Sequence, residues 1–209
     1  MSRSRGERRI SIPQKFLELF EMVADFINGY KREPLTVSVM GQTGVGKSSL
    51  INALFGTNLP TDPVRPATTK IEKYSMKGKN GHEVIFYDLP GLGESDQTDQ
   101  IWIPRYQEHL RESDIVIWAV LADTRSFKYD LNTLETVITG LNHDQQVYLL
   151  SRIVFVLTKT DLITDPETPA HWSLVKQGID DSFFLPDANL ASLIKRKEDY
   201  FREVFIDPL

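Results

Sequence analysis

The sequence predicts an α/β protein: a mixed, mostly parallel β-sheet flanked by helices on both faces, with an extra helix ahead of it. Three observations carry that prediction. Strand-like and helix-like segments alternate along most of the 209 residues. Two strands, "DIVIWAVL" (114–121) and "RIVFVLT" (152–158), are near-continuous apolar runs, the kind buried on both faces of a parallel sheet. The stretch "VMGQTGVGKSSLINALF" (39–55) passes from an apolar strand through three glycines into a helix. A packed core does not ask for that composition, and a phosphate does: it fits G-x-x-x-x-G-K-[ST] with strand before and helix after.

The elements follow in order. "RSRGERR" (3–9) is a basic cluster, read as part of a mobile end over 1–12. Apolar side chains at 16, 19, 20, 23, 26 and 27 have helical spacing. Pro13 and Gly29 mark a start and a stop, giving an amphipathic helix over 13–30. Packing on the domain is its simpler role. Leu17 and Met22 broaden the apolar face and leave a partner or dimer contact open. The rest, 35–209, reads as one domain. "LTVSVM" (35–40) is a strand, and a helix runs from Lys47 to about Phe55. "IEKYSM" (71–76) and "HEVIFYDL" (82–89) flank "KGKNG", whose Asn80-Gly81 is a hairpin signal. Helices are expected around 101–111 and 130–142. After the strand at 152–158 comes a loop rich in proline and acidic residues, and then a helix over "ANLASLIKRKEDYFREVF" (188–205).

Composition narrows the function classes. The apolar share is 41%, the net charge −5 and the pI about 5.4, a balance that does not favour non-specific nucleic-acid binding. There is no cysteine, so neither a disulfide framework nor a thiolate metal site. This fits a reducing, cytoplasmic setting. His82, His109, His143 and His171 are far apart and read as surface or edge residues. No run approaches the ~18 apolar residues of a membrane span, and no apolar segment follows the Arg-rich start as in a signal peptide.

Three boxes carry chemistry. In the first, Gly41, Gly44 and Gly46 let backbone N–H groups curl around an anion. Val45 and Ser49 belong to the same loop and first helical turn, where the helix N-terminus adds partial positive charge. Lys47 can reach the β- and γ-phosphates, and the Ser48 hydroxyl can bind Mg²⁺. This box alone says only nucleoside triphosphate. In the second, "YDLPG" (87–91), Asp88 at a strand end suits a Mg²⁺ contact through water, and Gly91 offers its N–H to the γ-phosphate. In the third, "TKTD", Thr158 to Asp161, the carboxylate can accept from N1–H and the exocyclic amine of guanine. Lys159 can lay its stem over the base. Adenine lacks that donor pair and would leave Asp161 unpaired, so the nucleotide is GTP or GDP.

With these boxes in this order the chain resembles the P-loop GTPases. It looks most like the Era-like, HSR1-type bacterial GTPases of the TrmE–Era–EngA–YihA–septin-like class, over roughly 35 to 162. The resemblance implies a GTP hydrolase that binds guanine nucleotide with Mg²⁺. It makes Thr69, within "PATT" (66–69), the switch-I Mg²⁺ ligand, and Lys47, Thr69 and Gly91 the residues that act on the γ-phosphate. Three departures from the family pattern stand out. Leu92 occupies the position where Ras-like members carry a water-positioning glutamine, which leaves Glu94 and Gln100 as the nearby polar candidates. Gly44 stands where potassium-activated relatives have asparagine. The S-A-K-like guanine box is missing: Ala191-Ser192 lies in a helical pattern, and the chain reads as stopping at "IDPL" before the domain's last strand.

Two functions follow from the resemblance. One is a GTPase switch with slow intrinsic hydrolysis, helped by an activating protein partner. The other is a nucleotide-gated homodimer or assembly module, since "TGVGKSSLINALFG" also resembles septin-like, Toc-like and immunity-related GTPases. An ATPase or kinase is the third reading, and Asp161 argues against it. Nothing in this segment indicates a nucleic-acid or ribosome contact.

Overall fold

The computed structural model describes residues 34–55, 59, 70–77, 83–92, 96–163, 172–176 and 182–207. The expected N-terminal helix, Pro66 to Thr69, Asn80-Gly81 and Glu94 lie outside these residues.

β1 (Leu35–Met40) is the centre of a five-stranded sheet, in the spatial order β2 (Glu72–Lys77), β3 (Glu83–Asp88), β1, β4 (Ile115–Leu121), β5 (Ile153–Thr158). It pairs in parallel with β3 and β4. β4 pairs in parallel with β5, and β2 is the one antiparallel neighbour, on β3. The expected mixed, mostly parallel sheet is therefore present.

Period-two alternation sorts the core. Leu35, Val37 and Val39 of β1 and Ile115 and Ile117 of β4 face α1 (Lys47–Phe55), where they meet Ile51 and Leu54. Met40, Val116, Trp118 and Val120 face the other way. There they pack with α2 (Asp96–Glu112), α3 (Lys128–Ile138), α4 (His143–Leu150) and α5 (Ala188–Phe201), through Tyr106, Leu110, Leu134, Val137, Leu149 and Phe201. An aromatic cluster seats the end of α5: Phe201 stacks on Phe205 at 4.9 Å, and Phe205 meets Phe155 of β5 edge-on at 4.8 Å. Such contacts add to the area they bury.

Five expectations are corrected. α2 begins earlier than expected, at Asp96, and carries Pro104 inside it. The helix expected over 130–142 is α3, which stops at Ile138, and a second helix that was not expected, α4, follows over His143–Leu150. Gly140, at φ +86°, ends the first, and Asn142 starts the second with a capping box: its side chain accepts from Gln145 N at 2.9 Å and its N–H donates to the Gln145 side chain at 3.0 Å. The proline- and acid-rich loop contains a second hairpin, β6 (Trp172–Lys176) with β7 (Ser182–Pro186), in a sheet of its own. The short apolar runs "WSLVK" and "SFFLP" were outweighed by the turn-forming residues around them. The strand expected over 152–158 to be buried on both faces is β5, at the edge of the described sheet, with no residue fully buried and Val154 47% exposed; His109, read as a surface or edge residue, is half-buried, its ring 4.8 Å from Tyr87. The helix expected over 188–205 is α5, capped by Asp187 accepting from Leu190 N at 2.7 Å and extended by a π-helical turn, Arg202–Ile206.

Candidate nucleotide-binding site

Parallel strands bring the C-terminal ends of β1, β3, β4 and β5 to one edge of the sheet, the edge where ligands bind in open α/β folds. The first box leaves β1 there. Gly41 crosses so close to β4 that an added Cβ would lie 2.2 Å from the Ala119 carbonyl oxygen, so no side chain fits. The helical ladder of α1 begins with Leu50 N donating to Gly46 O at 2.8 Å. The N–H groups ahead of it lie outside that ladder, which suits an anion. Gly44 is exposed at the loop's tip, Val45 is buried beneath it, and Ser49 is exposed on the first turn.

Lys47 is only 7% exposed. Its ammonium donates to the carbonyls of Gly41 at 3.2 Å and Gln42 at 3.0 Å, so the charge is held over the loop. Ser48 Oγ donates to Asp88 Oδ2 at 2.8 Å. The buried carboxylate at the end of β3 and the hydroxyl at the start of α1 are thus already together. Both are hard oxygen donors. Mg²⁺ takes one or two such groups and completes its shell with phosphates and water, so the pair fits that ion. Among the described residues no group of three or more His, Cys, Asp or Glu could hold a metal ion.

Gly91 sits against the first box. A Cβ there would lie 2.2 Å from Thr43 Oγ1 and 2.5 Å from Thr43 Cα. Thr43 N donates to the Leu92 carbonyl at 3.1 Å, tying the second box to the first through backbone. The Leu92 side chain is 2% exposed and belongs to the core, so it is turned away from the loop. Gln100 is exposed on α2.

The third box buttresses the loop from β5. Thr158 Oγ1 donates to Val45 O at 2.7 Å, and Lys159 Nζ donates to Gly44 O at 2.7 Å. Lys159 adopts a left-handed backbone, φ 54°, uncommon for a side chain of its size. It turns the chain into the 3₁₀ turn Thr160–Leu162, which carries Asp161 exposed. Ala191 and Ser192 lie on α5, as their pattern suggested. Thr69 lies outside the described residues.

Sequence reading missed three neighbours of the site. Asn52 of α1 holds the Leu59 backbone with two bonds, of 3.0 and 2.6 Å, and so fixes where the chain goes after the helix. Tyr106 of α2 donates its hydroxyl to the Pro90 carbonyl in the second box. Asp130, 2% exposed, accepts from Gln42 Nε2 at 2.9 Å and anchors the first box to α3. Burial raises the Asp130 pKa, and the Gln42 amide opposes the shift. A raised value means the folded chain holds this proton more tightly than the unfolded one. The stability it contributes is complete below the unfolded value of about 3.9 and is lost as pH rises through the folded value. Asp130→Asn still accepts the Gln42 amide without burying a charge. Its melting temperature relative to wild type should therefore rise from pH 4 to pH 7 in thermal denaturation. A difference that is constant with pH would mean that burial does not raise this pKa.

The fold and this loop place the chain among the P-loop nucleotide-binding proteins. Its family is narrower: residues 36–159 match the model of the 50S ribosome-binding GTPases, and the chain belongs to that family. It is 34% identical to an uncharacterised Escherichia coli protein, YkfA, over 57% of this chain and 42% of that protein. It is 30% identical to the tRNA modification GTPase MnmE of Thermoanaerobacter sp. over 71% of this chain and 30% of that one. The chain thus spans less than half the length of either. Among solved structures, Arabidopsis thaliana Toc33 in complex with GDP and Mg²⁺ superposes with a TM-score of 0.63 at 17% identity, covering 92% of this chain and 69% of that one. At that identity the likeness shows the fold alone. Among the described residues no helix is long and apolar enough to cross a membrane.

Proposed function

We propose that this chain binds GTP and GDP with Mg²⁺ and hydrolyses GTP slowly, using the γ-phosphate to order the segments around Thr69 and Gly91. A cytoplasmic setting goes with this reading. The observation that supports it best is the wiring of the phosphate loop to both other boxes, through Ser48 to Asp88 and through Lys159 to Gly44. The loop's N–H groups and Lys47 bind the β- and γ-phosphates. Ser48, Asp88 and Thr69 hold Mg²⁺, which when bound offsets charge on the phosphate oxygens. Gly91 donates its N–H to the γ-phosphate, and Asp161 reads guanine.

The buried Leu92 supports the second half of the reading. A side chain packed in the core cannot orient water. Intrinsic turnover is therefore expected on the order of 10⁻⁴–10⁻² s⁻¹, the range of GTPases without an activator in trans. The same observation favours a second reading, in which a second copy completes the site and GTP gates dimerisation. Phosphate release measured against enzyme concentration, in sodium and in potassium, separates the two. Specific activity that climbs with concentration supports the dimer. A flat, slow rate supports a separate partner. Fast, concentration-independent hydrolysis would contradict both and point to a catalytic residue in cis, with Glu94 the first to test.

A further inference from the structure

We propose that Tyr106 is a positioning residue that aims the Gly91 N–H, making α2 part of the device that tells GTP from GDP. The inference rests on Gly91 being the γ-phosphate donor, as proposed above.

Tyr106 is fully buried on α2, in the core cluster with Met40, Leu89 and Trp118. Its hydroxyl donates to the Pro90 carbonyl oxygen. That carbonyl and the Gly91 N–H belong to one peptide group, which is planar and trans, so the two point in opposite directions. Fixing the carbonyl toward α2 and the core fixes the N–H away from them. The chain just beyond Gly91 is held as well, because Thr43 N donates to the Leu92 carbonyl at 3.1 Å. Gly91 is also wedged against Thr43, too close for a Cβ. The chain is therefore held on either side of Gly91, at the Pro90 carbonyl by a side chain from α2 and at the Leu92 carbonyl by the phosphate loop. Only the first sets the donor's direction.

A buried tyrosine hydroxyl needs a partner in any protein, and a purely structural bond would have a different signature. Losing it would lower stability and leave the ratio of triphosphate to diphosphate affinity unchanged. Losing an aiming bond weakens the triphosphate selectively.

The test uses Tyr106→Phe in the full chain, which keeps the ring and removes the hydroxyl. Fluorescent GDP and GMPPNP are titrated with Mg²⁺, and the Gly91 amide is followed by ¹⁵N NMR in both complexes. Tyr106→Phe should bind GDP within twofold of wild type. It should bind GMPPNP roughly five- to tenfold more weakly, the loss of about one well-aimed hydrogen bond. The difference in Gly91 amide shift between the two nucleotides should shrink. Fluorotyrosine at position 106, a stronger donor on the same ring, should move the affinity ratio the other way and guards against a phenylalanine variant that does not fold. If the wild-type Gly91 amide responds to GMPPNP and both substitutions leave that response and the ratio unchanged, Tyr106 has no such role. If the wild-type amide does not distinguish the two nucleotides, Gly91 is not the γ-phosphate donor, and the proposal falls with that reading.

Discussion

Asp161→Asn is expected to exchange guanine for xanthine as the preferred base. The carboxylate accepts two donors from guanine, and an asparagine amide offers one acceptor and one donor. Xanthine carries a carbonyl where guanine has its exocyclic amine, so the amide suits xanthine and leaves guanine mispaired. Sites built to hydrogen-bond one group discriminate strongly against its absence, and the loss for GDP should be on the order of a hundredfold or more. The substitution is conservative for the scaffold. Asp161 is exposed on its 3₁₀ turn, and the turn is set by the left-handed Lys159, whose ammonium is held on Gly44 O at 2.7 Å. Competition of GDP and XDP against a fluorescent nucleotide reads the switch. Unchanged preference would mean that Asp161 does not contact the base.

The second large effect separates Lys47 from Ser48. Lys47→Ala removes the cation held over the loop carbonyls of Gly41 and Gln42. Truncating one member of a buried charge pair costs on the order of 2–5 kcal/mol, so GTP affinity should fall by at least about thirtyfold, with or without EDTA. Ser48→Ala removes the hydroxyl that bonds Asp88 at 2.8 Å, a proposed Mg²⁺ ligand. Its loss should appear with Mg²⁺ and nearly vanish in EDTA. If both variants behave alike under the two conditions, Ser48 does not serve the metal.

Most of the frame was legible because its signals are local. β1, β4 and β5 lie close to where the sequence predicted strands, and the apolar run of β4 is buried along nearly its whole length, whereas that of β5 lies at the edge of the described sheet. The first box is legible because a strand, a glycine loop and a helix start occur in one contiguous stretch. What escaped depends on tertiary placement. Asp130 sits in the first turn of a helix, where an acid is commonplace, and only the packing of α3 against the loop makes it a buried anchor. Tyr106 looks like one more apolar position of an amphipathic helix. Its partner is a backbone carbonyl, which no side-chain pattern marks. α4 is different: its start is marked in the sequence by Gly140 and the Asn142–Gln145 capping box, which the helix expected over 130–142 passed over. Leu92 could be read as lacking a polar group, but not as packed into the core beneath the site.

The proposed function requires the three boxes to form one guanine-specific triphosphate site. Phosphate release from GTP and from ATP, measured side by side with Mg²⁺ on the same protein, tests it most directly. A guanine-specific site gives slow release from GTP, abolished in Lys47→Ala, and no release from ATP above background. Equal or faster release from ATP would contradict it.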